Sequence, residues 1–220
     1  MVKRRFLGVG LLVGLALSAC TSGQVTAQTK RLFSEPYTGN PIIFESPGRD
    51  QRLQIERVMD ELAIGPGKVV ADIGAGGGWF AVRAAKRVQP TGQVYAVEIS
   101  QNFINAINER AKREGLSNIR TVRGTAADPK LPDKSVDAVL ILKAYHEIAD
   151  PVSVLRKTRQ AMKSGALLGI IDKNGRGDDH GLNREVVIKE ANQAGFKLVK
   201  SFDFVKPDDE DYFLVFSPTL

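Results

Sequence analysis

The chain has 220 residues, 43% hydrophobic and 25% charged, with a formal charge of +6 and one cysteine. That length suits one domain with a substantial core and is too short for two. Without Lys3, Arg4 and Arg5 the balance is 28 basic against 25 acidic residues, or +3, too weak for a nucleic-acid surface, and a lone cysteine closes no internal disulfide.

The first segment reads as an export device. Residues 1–5, MVKRR, form a basic n-region, residues 6–17 are apolar, and the tetrad Leu17-Ser18-Ala19-Cys20 closes the segment. About twelve apolar residues fall short of the roughly 20 that span a bilayer, so 1–19 is expected to be a signal peptide. The tetrad resembles a bacterial lipobox, in which the cysteine becomes the first residue and carries a lipid. That resemblance implies a protein of the bacterial cell envelope, held to the membrane through Cys20 and facing the periplasm where there are two membranes. Residues 20–48 read as a tether and arm: small polar residues to about Lys30, then Pro36, Pro41 and Pro47 among Phe33, Tyr37, Ile42 and Phe44.

Residues 49–220 form the expected domain. Leu53, Ile55, Val58, Met59 and Leu62 predict a helix over 49–63, ended by Gly65-Pro66-Gly67. Strands are predicted over 68–73, 93–97, 119–123, 136–142 and 167–172. They alternate with helices over 79–88, 101–114, 151–162 and 183–194, and 197–205 with 212–216 predict a closing antiparallel hairpin. Such alternation implies a parallel sheet with helices on both faces.

Residues 69–80 read VVADIGAGGGWF, a strand running through Gly74, Gly76, Gly77 and Gly78 into a helix. An α/β sheet holds a nucleoside-bearing cofactor in this way. The dinucleotide spacing fails, because its last glycine falls on Trp79. Asp72 also stands where dinucleotide loops carry an apolar residue, so hydride transfer is disfavoured. Glu98, at the tip of the next strand, is placed to accept hydrogen bonds from ribose hydroxyls.

In this order the residues carry a resemblance. From about residue 44 the chain resembles the class I S-adenosylmethionine-dependent methyltransferases, on the small-molecule branch near the ubiquinone and menaquinone enzymes. It is similar still more closely to exported methyltransferase-like proteins whose loop reads ADIGAGTGYF. Asp72 to Gly78 fills the first motif and Glu98 the second. LPDKSVDAVLI and PVSVLRKTRQAMKSGALLGIID fill the later ones. The resemblance implies an α/β, Rossmann-like class I fold with a seven-stranded, mostly parallel sheet and a C-terminal antiparallel hairpin. It implies S-adenosyl-L-methionine as cofactor and a small-molecule or lipid-like methyl acceptor. Asp72, Gly74, Ala75, Gly76 and Gly78 would surround the methionine half, Glu98 the ribose, and Ile99 the adenine face. Relatives have Gly-Asp-Ala where this chain has Gly124-Thr125-Ala126, so the adenine edge falls to Thr125, Ala126 or Asp128. Lys143 is expected among the cofactor contacts.

Methyl transfer from a sulfonium is an in-line displacement that depends on positioning and on a dry pocket. A base is needed only where the acceptor must lose a proton. The stretch 143–147, KAYHE, follows the fourth strand at the edge where such sheets bind ligands. Tyr145 offers a ring for the sulfonium and His146 a base near neutral pH; these are the expected catalytic residues. His180 reads as a solvated loop residue and Arg49 as an exposed charge at a helix start. Asp178, Asp179 and His180 are poorly spaced as ligands, so no metal is expected. No Asn/Asp-Pro-Pro-aromatic motif follows strand four, which disfavours DNA bases as acceptors, and a single cysteine disfavours arsenic. The chain is expected to be a monomer. Two functions stand: a methyltransferase, and an envelope lipoprotein that uses the fold to bind a nucleoside-like ligand without turnover. The second has a motive, because the donor is made in the cytoplasm while the N-terminus directs export.

Overall fold

Val69–Ile73 (β1) carries no apolar–polar alternation, as a strand covered on both faces requires, and it lies inside the sheet. The computed structural model describes Met1 and residues 31–219, so the signal segment, Cys20 and the tether to Lys30 lie outside the described residues. The remaining strands are β2 (Gln93–Glu98), β3 (Ile119–Arg123), β4 (Val136–Leu142), β5 (Met162–Asp172), β6 (Phe196–Phe202) and β7 (Tyr212–Pro218). They form one seven-stranded sheet in the order β3-β2-β1-β4-β5-β7-β6. The first five are parallel to their neighbours, and β7 runs antiparallel to both β5 and β6. The closing hairpin and the mostly parallel sheet therefore stand as expected.

The helices are α1 (Arg49–Leu53), α2 (Ile55–Glu61), α3 (Trp79–Val88), α4 (Gln101–Arg113), α5 (Pro151–Ala161) and α6 (Arg184–Gln193). Residues of α1 to α4, such as Leu53, Met59, Phe80 and Ile107, build the core on one face. Leu155, Ala161, Val187 and Ala191 of α5 and α6 build it on the other. Asp150 and Asn183 cap α5 and α6, each side chain accepting a backbone N–H of the first turn.

Several boundaries differ from the sequence reading. The helix expected over 49–63 is two helices, broken at Gln54 in the left-handed region (φ 51°), whose side chain donates to Phe204 O at 3.0 Å. Leu53 and Ile55 are two positions apart and cannot share one face of a continuous helix; the break buries both. The strand expected from 167 begins at Met162, with a register irregularity between Val136 and Ala138 on β4. The strand expected over 197–205 ends at Phe202, and a 3₁₀ turn, Lys206–Asp208, precedes β7.

After β1 the chain builds outward to β2 and β3, then returns to the other side of β1 as β4. The sheet order thus reverses between β1 and β4, and the crevice outside their carboxyl ends is where open α/β sheets take ligands. No helix among the described residues is long and apolar enough to cross a membrane.

Candidate functional site

A cavity of about 540 Å³ opens at that reversal. Its floor is the glycine loop. Gly74 N and Ala75 N both donate to Val97 O, at 3.0 and 3.1 Å, which ties the loop to β2. Gly74 has φ 75°, and a Cβ there would come within 2.5 Å of Ala144 Cβ in the turn after β4. Only glycine meets both conditions.

Glu98 ends β2 with its side chain buried under the loop. One carboxylate oxygen accepts Gly76 N at 2.8 Å, and the other accepts Ile99 N at 2.9 Å. Burial raises its pKa, while the hydrogen bonds from Gly76, Ser100 and Ile99 oppose the rise. Ile99 projects into the open, 45% exposed, at the wall of the same cavity.

Asp72 is buried at the end of β1, yet its Oδ2 has no hydrogen-bond partner. Burial first, and the charge of Glu98 second, push its carboxyl up to about 8, with a backbone hydrogen bond from Ala81 and the charge of Arg49 pulling the other way. A buried carboxyl oxygen without a partner is costly unless a ligand supplies one. The ammonium group of S-adenosylmethionine is such a donor, so the residues present fit that cofactor. Bound there, it would supply an electrophilic methyl group on sulfur.

The structure gathers Asp72, Gly74, Ala75, Gly76, Glu98, Ile99, Thr125, Ala126 and Lys143 around this one cavity. Other expected residues lie elsewhere. Gly78 caps α3 at φ 78° and packs toward Ile107 of α4, so it shapes the helix start and does not line the cavity. Asp128 turns onto Lys130, accepting its backbone N–H at 2.7 Å and meeting its ammonium at 3.3 Å. The backbone of Thr125 and Ala126 is left at the cavity wall. Lys143 pairs with Glu210 at 2.6 Å beside the cavity. Burial pushes Glu210 up to about 7.

The two expected catalytic residues are not brought to the cavity. They occupy the 3₁₀ turn Tyr145–Glu147, whose three residues per turn send its three side chains in three directions. Tyr145 has no exposed surface and packs into the core on the α5–α6 face, its hydroxyl donating to Glu190 at 2.9 Å. Arg31 covers that ring at 5.5 Å, so the ring's cation partner is this arginine. His146 is buried as well, with Nδ1 donating to Asp172 at 2.8 Å. Burial disfavours the charged imidazole, but the hydrogen bond and charge of Asp172 outweigh it and raise the pKa.

Other residues come into view only in the fold. Arg49 is buried, not exposed: it pairs with Asp208 at 2.9 Å, lies over the Trp79 ring at 4.3 Å, and lines the cavity. Nothing near Arg49 in the sequence marks this, because Asp208 comes from the far end of the chain. Glu147 lines the cavity, and burial raises its pKa against the opposing charge of His146. Phe33, Pro36 and Tyr37 of the arm form part of the cavity's apolar wall. In the loop after β5, Asp178 and Asp179 turn to Arg176, while His180 lies beside His146.

The family model described as a methyltransferase domain matches residues 71–170. The demethylmenaquinone methyltransferase of Geobacillus kaustophilus is 30% identical over 112 residues, which cover 51% of this chain and 48% of that protein. That of Listeria welshimeri is 27% identical over 117 residues, 53% of this chain and 50% of that protein. The chain thus spans about half the length of the curated relatives it matches. Among solved structures, a SAM-dependent methyltransferase from Aquifex aeolicus superposes with a TM-score of 0.73 at 23% identity, covering 81% of this chain and 98% of that one. The cyclase SpnF superposes with a TM-score of 0.66 at 17% identity, covering 86% and 87%. These two structures share the fold.

Proposed function

We propose that this chain, as a member of the class I S-adenosylmethionine-dependent methyltransferase family, moves a methyl group from this cofactor to a small, lipid-like acceptor. Asp72 carries the reading, because Oδ2 of its buried carboxyl has no partner at the cavity floor and asks for the amino group of the cofactor. Glu98 would hold the ribose while it fixes the glycine loop, Ile99 would cover the adenine, and the Thr125–Ala126 backbone would meet its edge.

The acceptor class is proposed from two supports. The relatives are named for demethylmenaquinone, a lipid-like quinone. The cavity wall beyond the glycine loop is built from Phe33, Tyr37, Phe103, Ile148 and Val154, which suits an apolar acceptor and excludes water. Glu147 is the acid on that wall. With its pKa raised it would take a proton from an acceptor that must lose one, in place of His146.

A second reading, ligand binding without turnover, draws support from Tyr145 and His146, neither of which lines the cavity. The fold is also shared by a protein named as a cyclase, so fold alone does not carry the activity. Calorimetric titration with S-adenosylmethionine and its demethylated product tests the cofactor; no heat from either, with the fold intact by circular dichroism, would end both readings. Transfer of labelled methyl into an envelope extract separates them and finds the acceptor. We place the enzyme at the envelope, tethered by a lipid on Cys20, where lipid-like acceptors reside.

A further inference from the structure

The chain contains two histidines, and the fold brings both to one place. His146 comes from the turn after β4 and His180 from the loop after β5, and their rings meet edge to face with centroids 5.8 Å apart. Glu147 completes the group: one ligand-capable atom from each of the three lies within 4.8 Å of the other two. His146 Nε2 stands 3.9 Å from Glu147 Oε1. Donors at ~2 Å from one tetrahedral ion sit roughly 3.3 Å apart, so a small closure completes the set.

His146 is aimed from behind. Its Nδ1 reaches both oxygens of Asp172, at 2.8 and 2.9 Å, and Asp172 is fully buried. A carboxylate only accepts, so Nδ1 carries the proton it shares with Asp172, and Nε2 is the ring nitrogen left on the side of Glu147 and His180. Metal-ligating histidines are held by this outer carboxylate contact, which fixes their tautomer and orientation. His180 is set by its backbone. It adopts a left-handed φ of 55° and its N–H donates to Ser34 Oγ at 3.0 Å, leaving the side chain exposed beside His146. A non-glycine residue in that region is strained, and such strain gathers where a side chain must be aimed.

We infer that His146, Glu147 and His180 bind one divalent transition-metal ion of the zinc type. Two imidazoles and a carboxylate favour zinc, cobalt or nickel over magnesium and calcium, which take oxygen ligands. Three protein ligands leave a tetrahedral ion one position for water or an acceptor oxygen. Since Glu147 also lines the cavity, the ion lies at the cavity's border. Binding of the ion needs no bound cofactor, and with the ion in place the Glu147 carboxylate is a ligand and not the base proposed above.

The test is titration of the full chain, made without a polyhistidine tag, with cobalt(II) followed by its visible absorption and with zinc by competition. One equivalent should bind, with the intense bands of a four-coordinate ion. His180→Ala and His180→Gln lie on an exposed loop and should each weaken binding at least about 10-fold. Glu147→Gln should do the same, and Asp172→Asn should weaken binding by roughly 10–100-fold. Circular dichroism confirms that each variant is folded. No bound equivalent in the parent chain overturns the site. So does an affinity within twofold of the parent in both His180 variants, because an ion held by Cys20 or by surface carboxylates would ignore them.

Discussion

Asp72 and Glu98 end neighbouring parallel strands, and the charge of Glu98 joins burial in pushing the Asp72 carboxyl up to about 8. At pH 7 the ligand-free Asp72 therefore holds a proton. An ammonium group placed against it favours the carboxylate, so the proton leaves on binding. Calorimetry in buffers of different ionisation enthalpy should show about one proton released per S-adenosylmethionine at pH 7, and affinity should rise with pH toward 8. Zero protons released, with heat of binding present, would exclude Asp72 as the ammonium partner.

The same shift predicts a stability trend. Unfolded, Asp72 ionises near 3.8; folded, it keeps its proton to about 8. Between those values the native state binds the extra proton, so this group's contribution falls as pH rises from about 4 to about 8. Thermal melts of the ligand-free chain should decline across that window, and Asp72→Asn should flatten the decline. Equal slopes for the two proteins would contradict a raised Asp72 pKa.

Glu98→Ala removes the acceptor that holds Gly76 N as well as the proposed ribose contact. Loss of charge-assisted hydrogen bonds should cost about 1.5–3 kcal/mol of binding, or roughly 10–150-fold in affinity for S-adenosylmethionine. An affinity within twofold of the parent would remove Glu98 from the site.

Gly74→Ala and Gly115→Ala form a matched pair. Both glycines have positive φ, at 75° and 68°, but only at Gly74 does a Cβ collide, 2.5 Å from Ala144 Cβ; Gly115 faces open space. The left-handed conformation alone should cost roughly 1–2 kcal/mol at Gly115. Gly74→Ala should cost more and should also abolish cofactor binding. Equal losses by chemical denaturation would mean that the approach of the Ala144 turn is not constraining.

Tyr145→Phe deletes the hydroxyl that donates to Glu190. Glu190 is half-buried and keeps its ion pair with Arg31, so loss of this one hydrogen bond should cost about 0.5–1.5 kcal/mol of stability. Cofactor affinity should stay within twofold, because the ring lies in the core and away from the cavity. A large loss of affinity without loss of stability would return Tyr145 to the binding site.

Lipid labelling tests the anchor. Labelled fatty acid should enter the chain in a bacterial host and should be absent from Cys20→Ser. Persistent label in that variant would refute anchoring at Cys20.

Much of this molecule is legible in its sequence. The apolar start of β1, the glycines after it and the acids Asp72 and Glu98 are local features, and local features dictate a strand, a tight loop and a strand tip. The alternation of strand and helix then determines the parallel sheet, because each crossover must pack its apolar face back onto it. Side-chain direction after β4 is another matter. KAYHE offers four functional side chains within five residues, and only the packed core decides that Tyr145 turns to Glu190, His146 to Asp172, and Glu147 to the cavity. Arg49 becomes buried only because Asp208, near the other end of the chain, arrives to pair with it. His180 meets His146 only because β4 and β5 lie side by side in the sheet. The sequence by itself determined the strands, the loop and the two acids, since each depends on neighbours along the chain. Which charges are buried and paired depends on partners distant along the chain, and only the tertiary structure decided that.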